Sequence, residues 1–440
     1  MPVAPETRIV TPTVVRKALS SLTFWVAVAG VLGYFSALAF GDAEWTRMAA
    51  PPAFYELILL AKTVFLALLK MLVAPIIFFS LLGGLLHIGD ASRLKSLGSV
   101  TILYYLGTTF IAICIGLTVV LFIHPWVGTV EQITVATLSS DPNYIAPAQF
   151  IERGSGSLLE VARGMLATAF TNPFTALAEL NILAIATNAF LFGLAMVLVV
   201  PNDSPLVAGI QHINDMLHKI LSWVVLVTPF GIYAIIFEVT LKSGGTLLNS
   251  LVGFCAVVVA GTLVHGLVVL PIIAKVFAGV GPLEFFSKAG KPLMVAFATS
   301  SSSATLPVSL QTAEEEFGVS DTVSGFVFPL GATMNMDGTA LYEGVAAVFL
   351  AYLFGIDLGT TGMIAVFFMA MVSSIGAPGI PSGSMAGMQM VLLGAGIPLE
   401  AIGILLVVER PLDTIRTAVN VEGDLIGALV TQRFFSRSSA

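Results

Sequence analysis

Charge is scarce in this chain: Lys, Arg, Asp and Glu make up 10% of 440 residues, while 57% are hydrophobic. Soluble domains carry about 25% charged residues, so a water-bathed globular surface is excluded and an integral membrane protein is predicted. The mean hydropathy of +0.98 agrees. Cysteine is nearly absent. Cys114 and Cys255 sit in apolar runs without metal-ligand spacing, which excludes a thiolate centre and leaves them as packing residues. His87, His124, His212, His218 and His265 are scattered, and none pairs with another at i+4, so no histidine metal site is expected. No basic run fits nucleic acid, and the net charge of −7 carries little meaning in a membrane chain.

Long apolar runs are what the sequence has. They cover residues 22–40, 54–86, 100–123, 167–200, 216–239, 251–276, 323–354 and 401–430. Several exceed the roughly 20 residues a bilayer requires, which implies tilted or protruding helices. Arg8, Arg16 and Lys17 precede the first run, and Asp42, Glu44 and Trp45 follow it without a small-residue cleavage site. The run is therefore read as a retained helix and not as a signal peptide. Arg93 and Lys95, then Lys275, Lys288 and Lys291, then Arg433 and Arg437 fall on the same side. The positive-inside rule places that side, and both termini, in the cytoplasm of a cell-membrane protein. The long polar segment 129–160 is predicted outside and contains no glycosylation sequon. The one sequon, Asn202-Asp203-Ser204, is predicted cytoplasmic, which points towards a bacterial or archaeal source.

The C-terminal part reads differently. Residues 300–307 (SSSSATLP) and 373–383 (SSIGAPGIPSG) interrupt apolar segments and are too rich in Ser, Gly or Pro for continuous helix. Each is flanked by about a dozen apolar residues, too short to span, which predicts a hairpin that enters the membrane and returns. Irregular backbone at that depth persists only when buried in protein or lining a cavity. Hairpin, helix, hairpin, helix is a two-fold repeat, inverted if the positive-inside topology holds. Paired interrupted segments of this kind point to a transporter's midplane site.

Asp413, Arg416, Thr417, Asn420 and Asp424 follow at i, i+3, i+4, i+7 and i+11 and share one helix face. A charge at the centre of a membrane helix costs roughly 2.5 to 3.5 kcal/mol, so this stripe requires partners, water or a ligand. In Asn335-Met336-Asp337-Gly338-Thr339 the Asn and Asp are two apart. Both serve one site only if the helix unwinds there, which frees carbonyl oxygens of the hard kind that suits Na+; the alternative is bonding to neighbouring helices. Tyr105, Thr108 and Thr109 share a face, read either as cation ligands or as helix-to-helix bonds. Glu343, one turn beyond Thr339, is a candidate proton carrier or a partner for Arg or Lys. The serine run invites a hydrolase reading, but no His lies in the C-terminal third and no Gly-x-Ser-x-Gly elbow occurs. Ser302 instead offers a backbone N–H at a half-helix end.

Residues 335–344, with 301–307, 374–383 and 413–424, resemble the glutamate transporter family of cation-coupled dicarboxylate and amino-acid symporters. Residues 69–75 (LKMLVAP) and Asn172-Pro173-Phe174 extend the likeness over nearly the whole chain. The resemblance implies an all-α polytopic membrane protein with eight transmembrane helices and two re-entrant hairpins in inverted repeats. It further implies a homotrimer working by an elevator mechanism. The implied division is a cytoplasmic segment 1–21, scaffold 22–96 and 167–245, an external loop 129–166, and a transport part 97–128 and 246–440. Under it, Arg416 matches the arginine for a substrate side-chain carboxylate, a role that suits its planar fork. Asp413 matches the partner of the substrate ammonium. Asn420 matches the contact to its main-chain carboxylate, with Thr417 and Thr339 as further polar contacts. The backbones of Ser300, Ser302, Ile380 and Gly383 would close the site.

Three Na+ sites are implied in the same way: Asp424 with carbonyls of Gly331, Asn335 and Asn420; backbone oxygens of Thr333, Ser374, Ile375 and Ala377; and Tyr105, Thr108, Thr109, Asn335 and Asp337. Glu343 matches the carrier of members that also move H+. Ser300 and Thr414 depart from the pattern, since relatives often carry an additional arginine at one of these positions. Glu409 is thereby left without its expected partner unless Arg410 turns inward, and Pro411 is expected to break the helix ahead of the site. The reading is uptake of L-aspartate or L-glutamate with Na+, and H+ as a second candidate ion, by a non-enzyme in the lipid bilayer. Proton-coupled C4-dicarboxylate carriage, neutral amino-acid carriage and an ion channel are the alternatives; Asp413 argues against the first, because such substrates have no ammonium.

Overall fold

The computed structural model describes residues 22–48, 50–86, 97–127, 163, 166, 167, 169–179, 181–243, 247–377, 379 and 382–438. Ile380, most of the predicted external segment 129–166, and Arg8, Arg16, Lys17, Arg93 and Lys95 lie outside the described residues. Every regular element among the described residues is helical. One group of helices comprises α1 (Leu22–Phe40), α2 (Ala53–Leu86), the short α4 (Pro173–Ala178), α5 (Ile182–Val199), α6 (Pro205–Leu226) and α7 (Thr228–Ser243). Here α1 packs along α7, and α2 packs along α5, α6 and α7.

The second group begins with α3 (Ser99–Phe122). Next comes α8 (Leu247–Val264), which continues through a π-helical turn (His265–Val269), α9 (Leu270–Ile273) and another π turn (Ala274–Ala278). After these come α10 (Pro282–Thr299), α11 (Ser302–Glu315), α12 (Asp321–Met334), α13 (Asp337–Leu353), α14 (Gly359–Gly376), α15 (Ser384–Gly394) and α16 (Ile402–Ser438). α13 is the centre, buried along almost its whole length and packed against α3, α8, α14 and α16. Phe254 stacks on Phe349 with centroids 4.9 Å apart, and Trp126 meets the same ring edge-on at 5.0 Å, which fastens α8 and the end of α3 to α13.

Several apolar runs do not form single helices. Run 167–200 divides into α4 and α5 because Asn172 caps Phe174 and Thr175, and Asn181 caps Ala184, each side-chain oxygen accepting free N–H groups of a new first turn. Run 216–239 belongs to two helices bent by 53°, with Pro229 just inside α7 where its missing N–H is harmless. Run 323–354 breaks at Asn335 and Met336, whose ψ angles of 76° and 50° are non-helical, as the motif predicts. The expected break at Pro411 does not occur: α16 runs 37 residues straight through it. A proline inside a helix costs about 3 kcal/mol, and packing of α16 against α8, α10, α12 and α13 outweighs this. By length and composition, two helices among the described residues qualify as spans, α3 and the run Ser250–Ala278, or three if the bent pair α6–α7 is one. α16 is long enough, but its buried charges remove it from that class.

The serine- and glycine-rich runs are broken over a shorter stretch than predicted, because Ser302–Pro307 opens α11 and Ser373–Gly376 closes α14. The chain reverses at each break, with α10 packed on α11 and α14 on α15. Ser300 takes the left-handed conformation (φ 51°), and Ser301 caps α11 by accepting from the Ala304 N–H. In the second reversal Ser382 is left-handed (φ 59°). The two tips touch: Ser301 Oγ and the Ser303 N–H both donate to the Gly379 carbonyl, at 2.7 and 3.0 Å. A Cβ at Gly379 would run into the Ala332 carbonyl and Ser303 Oγ, so this approach demands glycine.

Candidate functional site

The polar face of α16 turns inward as its spacing predicts. Arg416 is fully buried. Its Nη2 donates to Glu409 Oε1 at 2.6 Å, Asp413 Oδ1 at 3.1 Å and Ser384 Oγ at 3.3 Å, and its guanidinium carbon lies 3.9 Å from the Tyr342 ring centroid. Arg416 is therefore the partner of Glu409, two turns away, which corrects the expectation that Glu409 lacks one. Ser384 Oγ also donates to Glu409 at 2.6 Å, and the Ser382 N–H donates to Asp413 Oδ2 at 2.9 Å. The second reversal is thus tied to α16 by charge-assisted bonds, the strong kind. Arg416 Nε and Nη1 and Glu409 Oε2 are buried without a partner among the described residues.

Of the predicted substrate set, Ser300, Ser302, Thr339, Asp413, Thr417 and Asn420 line one narrow cleft, joined by Met336, Ala377, Gly379 and Ser384; Arg416 does not line it and reaches it only through Asp413. Gly383 is buried directly before α15. Asn420 bridges helices, its Oδ1 accepting from the Gly338 N–H at 2.8 Å and its Nδ2 donating to Thr339 Oγ1 at 3.2 Å. The start of α13 and the middle of α16 therefore form one wall.

Unwinding at Asn335 and Met336 separates the two acidic centres. Asn335 Nδ2 donates to Asp424 Oδ1 at 2.9 Å and to the Asn420 carbonyl at 3.1 Å, and Asn335 Oδ1 has no partner among the described residues. Asp337 Oδ1 accepts from Thr109 at 2.6 Å and Thr108 at 3.3 Å, while Oδ2 meets His265 Nε2 at 3.0 Å. The three-residue set on α3 is divided: Tyr105 OH donates to the Val327 carbonyl at 2.9 Å and stands beside Gly331. A Cβ at Gly331 would strike Asp424 Oδ1 and Tyr105 OH. In the remaining predicted cation set, Thr333 Oγ1 and the Ile375 carbonyl both face Gly84 of α2, while Ser374 Oγ donates to the Met371 carbonyl. Asp337 and Asp424 are buried, and their hydrogen-bond partners among the described residues include no lysine or arginine. Carboxylate, hydroxyl and carbonyl oxygens around two buried acidic side chains are a donor set that fits a hard monovalent cation.

Glu343 is fully buried on α13 and accepts from Ser373 Oγ at 2.9 Å, and its Oε2 has no partner among the described residues. Sequence reasoning missed three participants: His265, Ser382 and Ser384. A lone histidine in the apolar run 251–276 was a usable signal, since an imidazole in hydrocarbon needs a partner. The serines were legible only as loop-formers.

The Sodium:dicarboxylate symporter family model matches residues 22–434. The neutral amino acid transporter B(0) of Oryctolagus cuniculus is 33% identical, with 95% of this chain and 80% of that protein covered. Its counterpart in Bos taurus is 32% identical over 93% and 77%. The excitatory amino acid transporter 5 of Mus musculus is 32% identical over 82% and 73%. With the charged α16 face, the unwound Asn335–Asp337 segment and the two touching reversals in place, this chain belongs to the sodium:dicarboxylate symporter family and is a multi-pass membrane transporter, not an enzyme.

Proposed function

We propose that the protein is a symporter that moves L-aspartate or L-glutamate into the cell with Na+. The observation that carries this reading is the buried guanidinium of Arg416: its Nη2 bonds Asp413, which lines the cleft, while Nε and Nη1 have no partner among the described residues. A substrate side-chain carboxylate would meet Arg416, the ammonium would meet Asp413, and the main-chain carboxylate would meet Asn420 and the backbone at Ser302. Closing these pairs and filling the cation sites at Asp424, Asp337 and the Thr333–Ile375 backbone removes the unpaired charges that oppose movement through the bilayer. α3 and α8–α16 would then travel as an elevator against a trimeric scaffold of α1, α2 and α5–α7, an eight-span protein with both termini cytoplasmic. Glu343 would carry a proton in the same cycle.

A second reading is favoured by one specific contact. Glu409 sits 2.6 Å from Arg416 and partly neutralises it, and relatives named as neutral amino acid transporters are as similar as one named for excitatory amino acids. Competition against radiolabelled uptake in proteoliposomes separates the two. Under the acidic reading, unlabelled L-aspartate and L-glutamate compete while L-serine, L-glutamine and succinate do not; competition by L-serine alone would replace it with neutral carriage.

A further inference from the structure

Asp337 on α13 holds three helices together, through Thr108 and Thr109 of α3 and His265 at the end of α8. His265 is fully buried where α8 passes into its π-helical turn, a distortion frequent at functional sites. A carboxylate only accepts, so the hydrogen at His265 Nε2 points to Asp337 Oδ2 across 3.0 Å. Nδ1 has no partner among the described residues. An imidazole with one nitrogen unsatisfied is a poorer packing residue than Leu or Met, because a buried unmade hydrogen bond costs about 1–3 kcal/mol. What it adds is the single bond to Asp337.

The surroundings place that bond closely. Gly261 abuts Leu341 of α13, and Gly266 abuts Val419 and Glu422 of α16, leaving no room for a side chain at Gly266. α8 therefore lies close against both helices and projects His265 to the first residue of α13. With Oδ2 held there, Oδ1 is the oxygen turned to Thr109 at 2.6 Å and Thr108 at 3.3 Å. Without it the carboxylate is free to rotate about its Cβ–Cγ bond, and the Oδ1–threonine geometry is lost.

We propose that His265 is a positioning residue of the cation site, fixing the carboxylate plane of Asp337 so that one defined oxygen joins the threonine hydroxyls around Na+. The proposal rests on the reading of Asp337 as a Na+ ligand. Partners that orient ligating groups in this way change metal affinity by about 10–100-fold when removed.

The test titrates the purified full chain with NaCl at constant ionic strength in choline chloride, following thermal stability, and measures the Na+ dependence of uptake. Three variants are compared with wild type: His265→Met, which keeps volume without a donor; His265→Gln, which keeps an N–H; and Asp337→Asn. The half-saturating Na+ concentration is expected to rise about tenfold or more in H265M at an unchanged maximal response, and to stay within about threefold in H265Q. Should H265M not be recovered, H265N, whose amide is too short to reach Oδ2, takes its place with the same expectation. Wild-type Na+ dependence in the donor-less variant while D337N is shifted, or equal shifts in H265M and H265Q, overturns the proposal. An unshifted D337N overturns the Na+ reading of Asp337 itself.

Discussion

Replacing Arg416 with alanine separates recognition from structure if the replacement is made in two steps. The guanidinium bonds Glu409 at 2.6 Å and Asp413 at 3.1 Å, with all three side chains buried. Its removal strands two carboxylates, and breaking a buried pair in this way destabilises by about 3–5 kcal/mol. Arg416→Ala alone is therefore expected to lower the melting temperature as well as aspartate uptake. In Arg416→Ala with Glu409→Gln the first stranded charge is gone, and most of that stability is expected to return. Recognition is not expected to return with it. A charge-assisted hydrogen bond contributes about 1.5–3 kcal/mol, so losing one raises KM for L-aspartate by about ten- to a hundredfold at about 1.4 kcal/mol per factor of ten. The assay is initial-rate uptake of radiolabelled L-aspartate into proteoliposomes at saturating Na+, beside a thermal melt of the same preparation. A double variant that melts like wild type and keeps its aspartate KM within about threefold would refute the assignment of Arg416 to an acidic substrate.

Two further substitutions test other parts of the site. Gly331→Ala drives a methyl group into the Asp424 carboxylate and Tyr105 hydroxyl, an overpacking that costs about 1–3 kcal/mol; Na+-dependent uptake should fall steeply while the helix content seen by circular dichroism is retained. Glu343→Gln keeps a hydrogen-bonding group opposite Ser373 but removes the ability to bind and release a proton, so the dependence of uptake on external pH should flatten. A pH profile superimposable on wild type would remove Glu343 from proton carriage.

Much of the site was legible because helical periodicity is local. The spacing of Asp413, Arg416, Thr417, Asn420 and Asp424 puts them on one face of a helix, which is the buried face of α16, and Gly338 beside an Asn–Asp pair marks the break that lies at Asn335 and Met336. The reversals at Ser300 and Ser382 lie within or beside the Ser-, Gly- and Pro-rich runs, although helix takes up Ser302–Pro307 of the first and Ser373–Gly376 of the second. What failed was tertiary. Pro411 reads as a breaker in isolation, yet the packing around α16 holds it in helix. Glu409 and Arg416 stand at i and i+7, beyond the i+4 pairs that spacing rules consider, and meet only because both side chains turn inward onto Ser384. His265 and Asp337 lie 72 positions apart, and their contact depends on glycines that let α8 approach. The breaks at Asn181 and before Pro229 were hidden because capping chemistry in an apolar run contributes almost nothing to hydropathy.

Coupling is the claim on which the rest depends: buried carboxylates with no lysine or arginine among their described partners require a travelling cation before the substrate-binding body can move. Initial uptake of radiolabelled L-aspartate into proteoliposomes, with an inward Na+ gradient and with the same gradient of choline or K+, measures it directly. Concentrative uptake with Na+ alone, abolished when Na+ is equal on both sides and the membrane potential is clamped at zero, is the predicted result. Equal accumulation with choline or K+ would contradict the account.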